Sequence, residues 1–170
     1  MALFNQLYQF KGKHAEMVRK TVHKLGGNTV CRNIDVFFIS IVLGLSHNRR
    51  ADVDTNTSVE PAKIDPEQMV RFNDQVEYFY RLVMLSDKKY CFDAKERGDK
   101  AFRYNPESEE CKKDEIHFTR VVLGGLEVLY EYIIDKTLYE EDIFNNIKDF
   151  IENYTSTTTD ISEDDLRQII

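Results

Sequence analysis

Apolar residues recur every three or four positions along most of this chain, which is the pattern of helices with one buried face. The motif Asp65-Pro66-Glu67-Gln68 joins an N-cap acid, a proline at the first helical position and a glutamine that completes a capping box. It predicts a helix from residue 66 to about residue 85. The apolar face of this helix comprises Met69, Phe72, Val76, Phe79, Tyr80 and Val83.

Two more helices are predicted in the second half of the chain. Asn105-Pro106 repeats the cap-and-proline signal before a long apolar stripe, and Thr137 with Glu140 forms a capping box before a shorter one. The two stripes consist of Phe118, Val122, Leu126, Leu129 and Ile133, and of Ile143, Ile147, Phe150 and Tyr154.

Gly124 and Gly125 interrupt the long stripe, at a cost of about 1 kcal/mol each relative to alanine. Close approach of another helix or of a partner must justify them.

The first half of the chain predicts two helices of different character. Residues 12–25 form a basic amphipathic pattern that ends at Gly26-Gly27, a left-handed cap and turn. Asn33 or Asp35 then caps a segment that is apolar on most faces up to Leu45, which places it at the centre of the fold. The β-branched residues of this segment also allow a strand.

These patterns together predict a mainly α protein, a single-domain bundle of about five to six helices over residues 1–154. The polar stretch 48–63 suits a surface excursion or a short β-hairpin around residues 50–63. Residues 155–160 are a hinge of Ser and Thr, so residues 155–170 are predicted to be a hinged, acidic C-terminal segment.

The net charge sharpens this division of the chain. The 170 residues carry a formal charge of −7, yet residues 135–170 alone hold 10 acidic and 3 basic residues. The rest of the chain is neutral, which argues against a uniformly basic nucleic-acid binder and against a polybasic membrane-surface protein. The acidic end suits a basic partner surface, with Asp164 and Asp165 as candidate contacts.

Several features indicate a cytoplasmic protein that lies outside the membrane. The longest apolar stretch, residues 36–45, is far shorter than the roughly 20 residues of a membrane span, and the first residues lack the pattern of a secretory signal. Cys31, Cys91 and Cys111 are an odd number at wide spacing, so three free thiols are expected rather than disulfides or a zinc site.

Motifs of catalytic chemistry are missing from the sequence. There is no nucleophile elbow, phosphate-binding glycine loop, HExxH or calcium-loop pattern, and the four histidines lie far apart. We therefore expect no enzymatic activity, no cofactor and no resident metal. One alternative remains, a metal-dependent nuclease, because such an enzyme needs carboxylates around a cation and a nearby lysine. Its candidate residues are Asp52, Asp54, Glu60 and Lys63.

Basic residues suggest a second alternative, a small DNA-binding module. They are clustered on the first helix at Lys11, Lys13, Arg19, Lys20, His23 and Lys24, and Arg49-Arg50 follows the central apolar helix. Such charges supply non-specific DNA affinity, but the neighbouring acids cancel them, so strong independent binding is not expected. Arg49 and Arg50 are also suited to neutralise the C-terminal end of the helix dipole or to contact a defined acceptor.

Five motifs carry a family resemblance. In chain order they are Asn33-Ile34-Asp35-Val36-Phe37-Phe38-Ile39 with Leu43-Gly44-Leu45, then Asn48-Arg49-Arg50-Ala51, Arg81-Leu82-Val83-Met84-Leu85, Asp99-Lys100-Ala101-Phe102-Arg103, and Leu123-Gly124-Gly125-Leu126-Glu127-Val128-Leu129-Tyr130. They resemble the accessory subunit of Lamassu-type bacterial anti-phage systems, related to the middle components of ABC-three-component systems. The similarity covers most of residues 4–134, and a partly similar pattern occurs in proteins of phosphorothioation-dependent defence.

The resemblance implies a non-enzymatic adaptor. In that family the subunit joins an SMC-like ATPase with a coiled coil to a separate effector, often a nuclease, and the ATPase senses foreign DNA. The chain would meet DNA only through the complex and would not contact a membrane. The resemblance carries over no catalytic residue, and it marks Arg49, Arg50, Gly124 and Gly125 as structural or interface positions.

Overall fold

The computed structural model describes residues 7–26, 30–103, 105, 107–136 and 140–158, the last range without the side chains of residues 140, 141 and 154–158. Two strands and seven α-helices form in these residues. In chain order they are β1 Tyr8–Phe10, α1 Gly12–Lys24, α2 Asn33–Ser46, β2 Ala62–Ile64, α3 Pro66–Arg71, α4 Asn73–Ser86, α5 Ala94–Phe102, α6 Glu109–Leu129 and α7 Glu140–Thr158. A π-helical turn, Tyr130–Ile134, continues α6.

The mainly α prediction is confirmed, with seven helices where five to six were expected. Asp65 and Pro66 start α3 as predicted, although Asp65 makes no side-chain capping bond. The predicted helix over 66–85 is divided at Phe72, whose ring contacts Phe38 at 6.0 Å between centroids, a tertiary contact that local spacing does not reveal. The short helix α5 was not predicted from the sequence. The side chain of Asp93 caps it by accepting a hydrogen bond from the Glu96 N–H at 2.8 Å.

The β-structure is short and antiparallel, and it joins distant parts of the chain. Strand β2 includes residues 62 and 63 of the segment in which a short β-hairpin was expected, around residues 50–63, but its antiparallel partner is β1 and not a strand within that segment. Phe10 is opposite Ala62 and Tyr8 is opposite Ile64, and all four side chains are buried. Burial of this alternating face against α1 and α2 selects the distant pairing, since a local hairpin would leave the apolar residues of β1 uncovered.

Helices α2 and α6 form the centre of the fold and make the most extensive helix pair in it. The segment from Ile34 to Leu45 is a helix, so the alternative of a strand is wrong. Helix α6 starts three residues later than Asn105-Pro106 suggested, because Asn105 instead accepts the Glu107 N–H and Ser108 takes the capping role. The whole of the predicted stripe from Phe118 to Leu129 is buried.

Two smaller predictions have clear outcomes. Cys31, Cys91 and Cys111 are buried and no disulfide joins them, as the sequence predicted. Across the described ranges, no helix combines the length and the apolar character that a membrane crossing requires.

The chain divides into two compact units, Met1–Tyr130 and Glu131–Ile170. In the second unit, the rings of Tyr132 and Phe150 lie 5.7 Å apart, and the Asn146 amide donates to the Ile133 carbonyl at 3.2 Å. Helix α7 reaches Thr158, so the first four residues of the predicted hinge are helical. Asp164 and Asp165 lie outside the described residues.

Candidate functional site

Three glycines allow α2 and α6 to cross with their backbones in contact. A Cβ atom on Gly125 would overlap the Ser40 carbonyl oxygen and lie 2.5 Å from the Gly44 nitrogen, and a Cβ on Gly44 would overlap the Val121 carbonyl. A Cβ on Gly124 would overlap the carbonyl of Arg49. The close approach that Gly124 and Gly125 permit is therefore made within this chain, and both glycines are buried.

Arg49 belongs to a charge cluster around Glu127, a nearly buried carboxylate on α6. One carboxylate oxygen of Glu127 accepts from Arg49 at 3.1 Å, and the other lies 2.7 Å from the Lys13 ammonium and 3.3 Å from His14 Nε2. Burial disfavours a charge on Glu127, but the bonds from Lys13 and Arg49 hold the pKa of its carboxyl below the usual value. This cluster joins α1, the end of α2 and α6.

Arg50 belongs to a second cluster, around Asp87 at the end of α4. Its guanidinium donates to Asp87 Oδ2 and, at 2.8 Å each, to the carbonyls of Gly44 and Arg49. His117 Nε2 lies 2.9 Å from the same carboxylate oxygen. Burial opposes ionisation of Asp87, yet the hydrogen bond and charge of Arg50 keep the pKa of Asp87 below its ordinary value. Arg50 thus neutralises Asp87 and also satisfies carbonyls at the end of α2.

A third buried acid, Asp114 on α6, extends the second cluster. Asp114 accepts from the Tyr90 hydroxyl at 2.7 Å and from the Lys100 ammonium at 3.0 Å. The Tyr90 ring stacks on His117, with centroids 3.6 Å apart and planes 4° from parallel. Both arginines of the predicted interface are therefore anchored to acids of this chain, and their first role is to organise the fold.

Three acids on which these clusters depend were not predicted from the sequence as site residues: Glu127, Asp87 and Asp114. Glu127 carried a usable signal, because it is the one acid inside an otherwise apolar run from Val121 to Tyr130. Acids are rarely buried without a partner, so such an isolated acid indicates a buried cation nearby. Asp87 and Asp114 stand among polar neighbours, where no comparable contrast exists.

The four residues of the nuclease alternative have separate structural tasks. Asp54 caps the start of α1 by accepting the Lys13 N–H at 2.7 Å, and Asp52 lies 2.9 Å from Arg120 on the surface. The Glu60 carbonyl accepts from Arg19, and Lys63 is a residue of β2. Within the described part of the chain, no group of three His, Cys, Asp or Glu side chains is placed to hold a metal ion.

The basic face of α1 is also partly engaged. Lys13 pairs with Glu127, Arg19 donates to the Glu60 carbonyl at 2.6 Å, and the Lys20 ammonium lies 5.9 Å from the centroid of the Tyr130 ring. Lys11 and His23 are exposed. This helix therefore offers fewer cations to an external anion than its sequence suggested.

An exposed apolar surface spans α2 and α4. Tyr78, Leu82 and Leu85 recur along the outer face of α4, with Tyr78 62% exposed. On α2, Ile39 and Val42 are exposed in the same way. Phe38 and Phe79 connect the two sets, since their half-buried rings lie 5.6 Å apart between centroids. We call these five exposed residues and the two rings the α2–α4 surface.

The two buried histidines make the stability of the fold depend on pH. Desolvation lowers the pKa of His14 and of His117, although Glu127 and Asp87 respectively act in the opposite direction. His14 Nδ1 has no hydrogen-bond partner among the described residues, so a second N–H on a protonated ring would be buried unsatisfied.

Stability is expected to fall as the pH decreases from 7 to 5. An unfolded histidine binds a proton near pH 6.5, whereas these folded histidines bind it only at lower pH. Each therefore lowers the free energy of unfolding by up to about 1.4 kcal/mol per pH unit below about 6.5. Urea unfolding of the wild type at pH 7, 6 and 5 measures this slope. His117→Gln should reduce the slope, and His23→Gln, at an exposed position of α1, should preserve it. An equal slope in all three proteins would contradict this explanation.

No family model, no curated protein and no solved structure matches this chain. The resemblance to Lamassu-type accessory subunits therefore depends on the sequence motifs alone and stays a prediction.

Proposed function

We propose that this protein is a non-catalytic adaptor subunit of a bacterial anti-phage defence complex, which bridges an SMC-like ATPase and an effector nuclease. The family resemblance supplies the identity of the partners. The main support for the adaptor role is the α2–α4 surface, on which two neighbouring helices expose five large apolar side chains to solvent. Several large apolar side chains exposed on neighbouring helices are typical of a protein interaction site.

The charge clusters support the same proposal. Arg49 and Arg50 each pair with a buried acid of α6 or α4, and the carboxylates of the nuclease alternative are used as a helix cap and a surface ion pair. The arginines and carboxylates that the sequence suggests for binding or catalysis therefore stabilise the fold through contacts within this chain. The apolar residues of the α2–α4 surface are the ones that a partner can cover.

The experiment is co-expression with the products of the adjacent genes, followed by purification of the complex. We expect the chain to co-purify with an SMC-like ATPase and Tyr78→Glu to weaken that association at least about tenfold, because a buried charge without a partner opposes binding. Ile116→Glu is the matched control, since Ile116 is 60% exposed on α6, close to the 62% of Tyr78. Ile39→Glu, on the α2 side, should behave like Tyr78→Glu.

Two results would reject the adaptor proposal. The first is a chain that binds none of the adjacent gene products. The second is intrinsic Mg²⁺-dependent nuclease activity of the purified chain that Asp52→Ala with Asp54→Ala abolishes, which would favour the enzymatic alternative.

A further inference from the structure

A surface pocket of about 310 Å³ lies beside the Asp87 cluster and has an excess of basic side chains in its wall. Three separate parts of the chain contribute to it: the segment after α2, the turn after α4, and α6. The lining residues are Asn48, Arg50, Asp87, Lys89, Tyr90, His117 and Arg120. Three of the seven have basic side chains, either arginine or lysine, and one is an acid. This pocket is independent of the α2–α4 surface and of the adaptor proposal.

The single acid in the lining is already neutralised. Asp87 accepts from Arg50 and His117 through one oxygen, and from the backbone N–H groups of Lys89 and Tyr90, at 3.2 Å each, through the other. Its side chain is only 5% exposed. Because Arg50 and Asp87 cancel each other, the charges of Lys89 and Arg120 are the excess that the pocket presents to solvent.

Both of these cations are available to a ligand. Lys89 is exposed and its ammonium makes no ion pair with any described residue. Arg120 contacts Asp52 at 2.9 Å, but the Asp52 side chain is 82% exposed, so solvent screens the pair and an incoming anion can replace it at low cost.

The inner wall of the pocket is held rigidly. Tyr90 and His117 are stacked, the Tyr90 hydroxyl is bound to Asp114, and Arg50 is fixed by two backbone carbonyls. Ligand binding therefore orders few additional side chains beyond Lys89 and Arg120. A preformed wall lowers the entropic cost of binding an anion.

We propose that this pocket binds a phosphate group. Arg120 presents a planar guanidinium fork and Lys89 a point charge, from α6 and from the turn after α4 respectively, and the Asn48 amide adds a neutral polar group. Cations supplied by two separate elements can engage several oxygens of a tetrahedral phosphate, whereas a carboxylate would be satisfied by one fork. The phosphate could belong to free phosphate or a monoester, or to a nucleic-acid backbone.

Titration of the full chain with inorganic phosphate, followed by ¹H–¹⁵N NMR, tests the proposal. We expect saturable shifts of the backbone amides of Lys89, Tyr90 and Arg120, with affinity about tenfold lower in the double variant Lys89→Ala, Arg120→Ala. Both side chains are substantially exposed, and an unfolding curve of the variant verifies that it is folded. The control, Lys11→Ala with Lys95→Ala, removes the same charge from exposed positions outside the lining.

A second titration with a short DNA duplex identifies the source of the phosphate. Salt-dependent binding that the Lys89, Arg120 variant loses would assign the pocket to a nucleic-acid backbone, and phosphate binding without DNA binding would assign it to free phosphate or a monoester. The proposal is overturned if inorganic phosphate gives no saturable shift, if acetate binds equally well, or if the control variant loses as much affinity as the pocket variant.

Discussion

Gly125→Ala is expected to destabilise the protein by about 3 kcal/mol or more, or to prevent its folding. The new methyl group would overlap the Ser40 carbonyl, and both Ser40 and Gly44 meet it with backbone atoms, which cannot move aside by a change of rotamer. The only relief is to separate α2 from α6, which loosens the centre of the core. The gain in helix propensity from glycine to alanine, about 1 kcal/mol, is too small to compensate.

Gly98→Ala provides the matched control for this substitution. Gly98 lies inside α5, and nothing within 4 Å would meet the added methyl group. The same change there should stabilise the protein by up to about 1 kcal/mol, through helix propensity alone. Urea unfolding of both variants, followed by circular dichroism, measures the two free energies. Equal midpoints would show that the α2–α6 crossing tolerates a side chain, contrary to the geometry.

The sequence was sufficient to predict the helices whose signals are local. The start of α3 at Pro66, the basic helix that ends near Gly26 and the central position of α2 each follow from a cap, a glycine or an apolar run of a few residues. Gly26 has a φ of 100°, as a left-handed helix end requires. The position of each of these elements depends on residues within a few places in the chain, so a pattern along the sequence contains the information.

The pairing of β1 with β2 and the charge clusters could not be predicted in this way. Phe10 and Ala62 are partners across more than 50 positions, and Lys13 is 114 positions from Glu127. Burial of an acid is decided by whether the fold brings a cation to it, which is a property of the tertiary structure. The same limit explains why Arg50 was identified as a defined contact while its acceptor, Asp87, was not.

Asp87→Asn is expected to lower the free energy of unfolding by about 2 to 3 kcal/mol at pH 7. The substitution keeps the size of the side chain and one acceptor oxygen for the turn after α4, but it removes the charge that neutralises Arg50. A partly buried guanidinium without its counter-ion is then left beside His117, and breaking a buried pair by removing one partner is strongly destabilising. Chemical unfolding at pH 7 gives the value directly.

Two comparisons distinguish a loss of stability caused by the missing charge from one caused by distortion of the turn after α4. Asp99→Asn removes the same charge from a solvent-exposed pair with Arg103 and should change stability by no more than about 0.5 kcal/mol. In an Arg50→Met background the cost of Asp87→Asn should shrink by at least about 1 kcal/mol, because the cation that needed the carboxylate is gone. If the cost is the same with and without Arg50, then Asp87 stabilises the fold through its bonds to the Lys89 and Tyr90 N–H groups, and the ion pair contributes little.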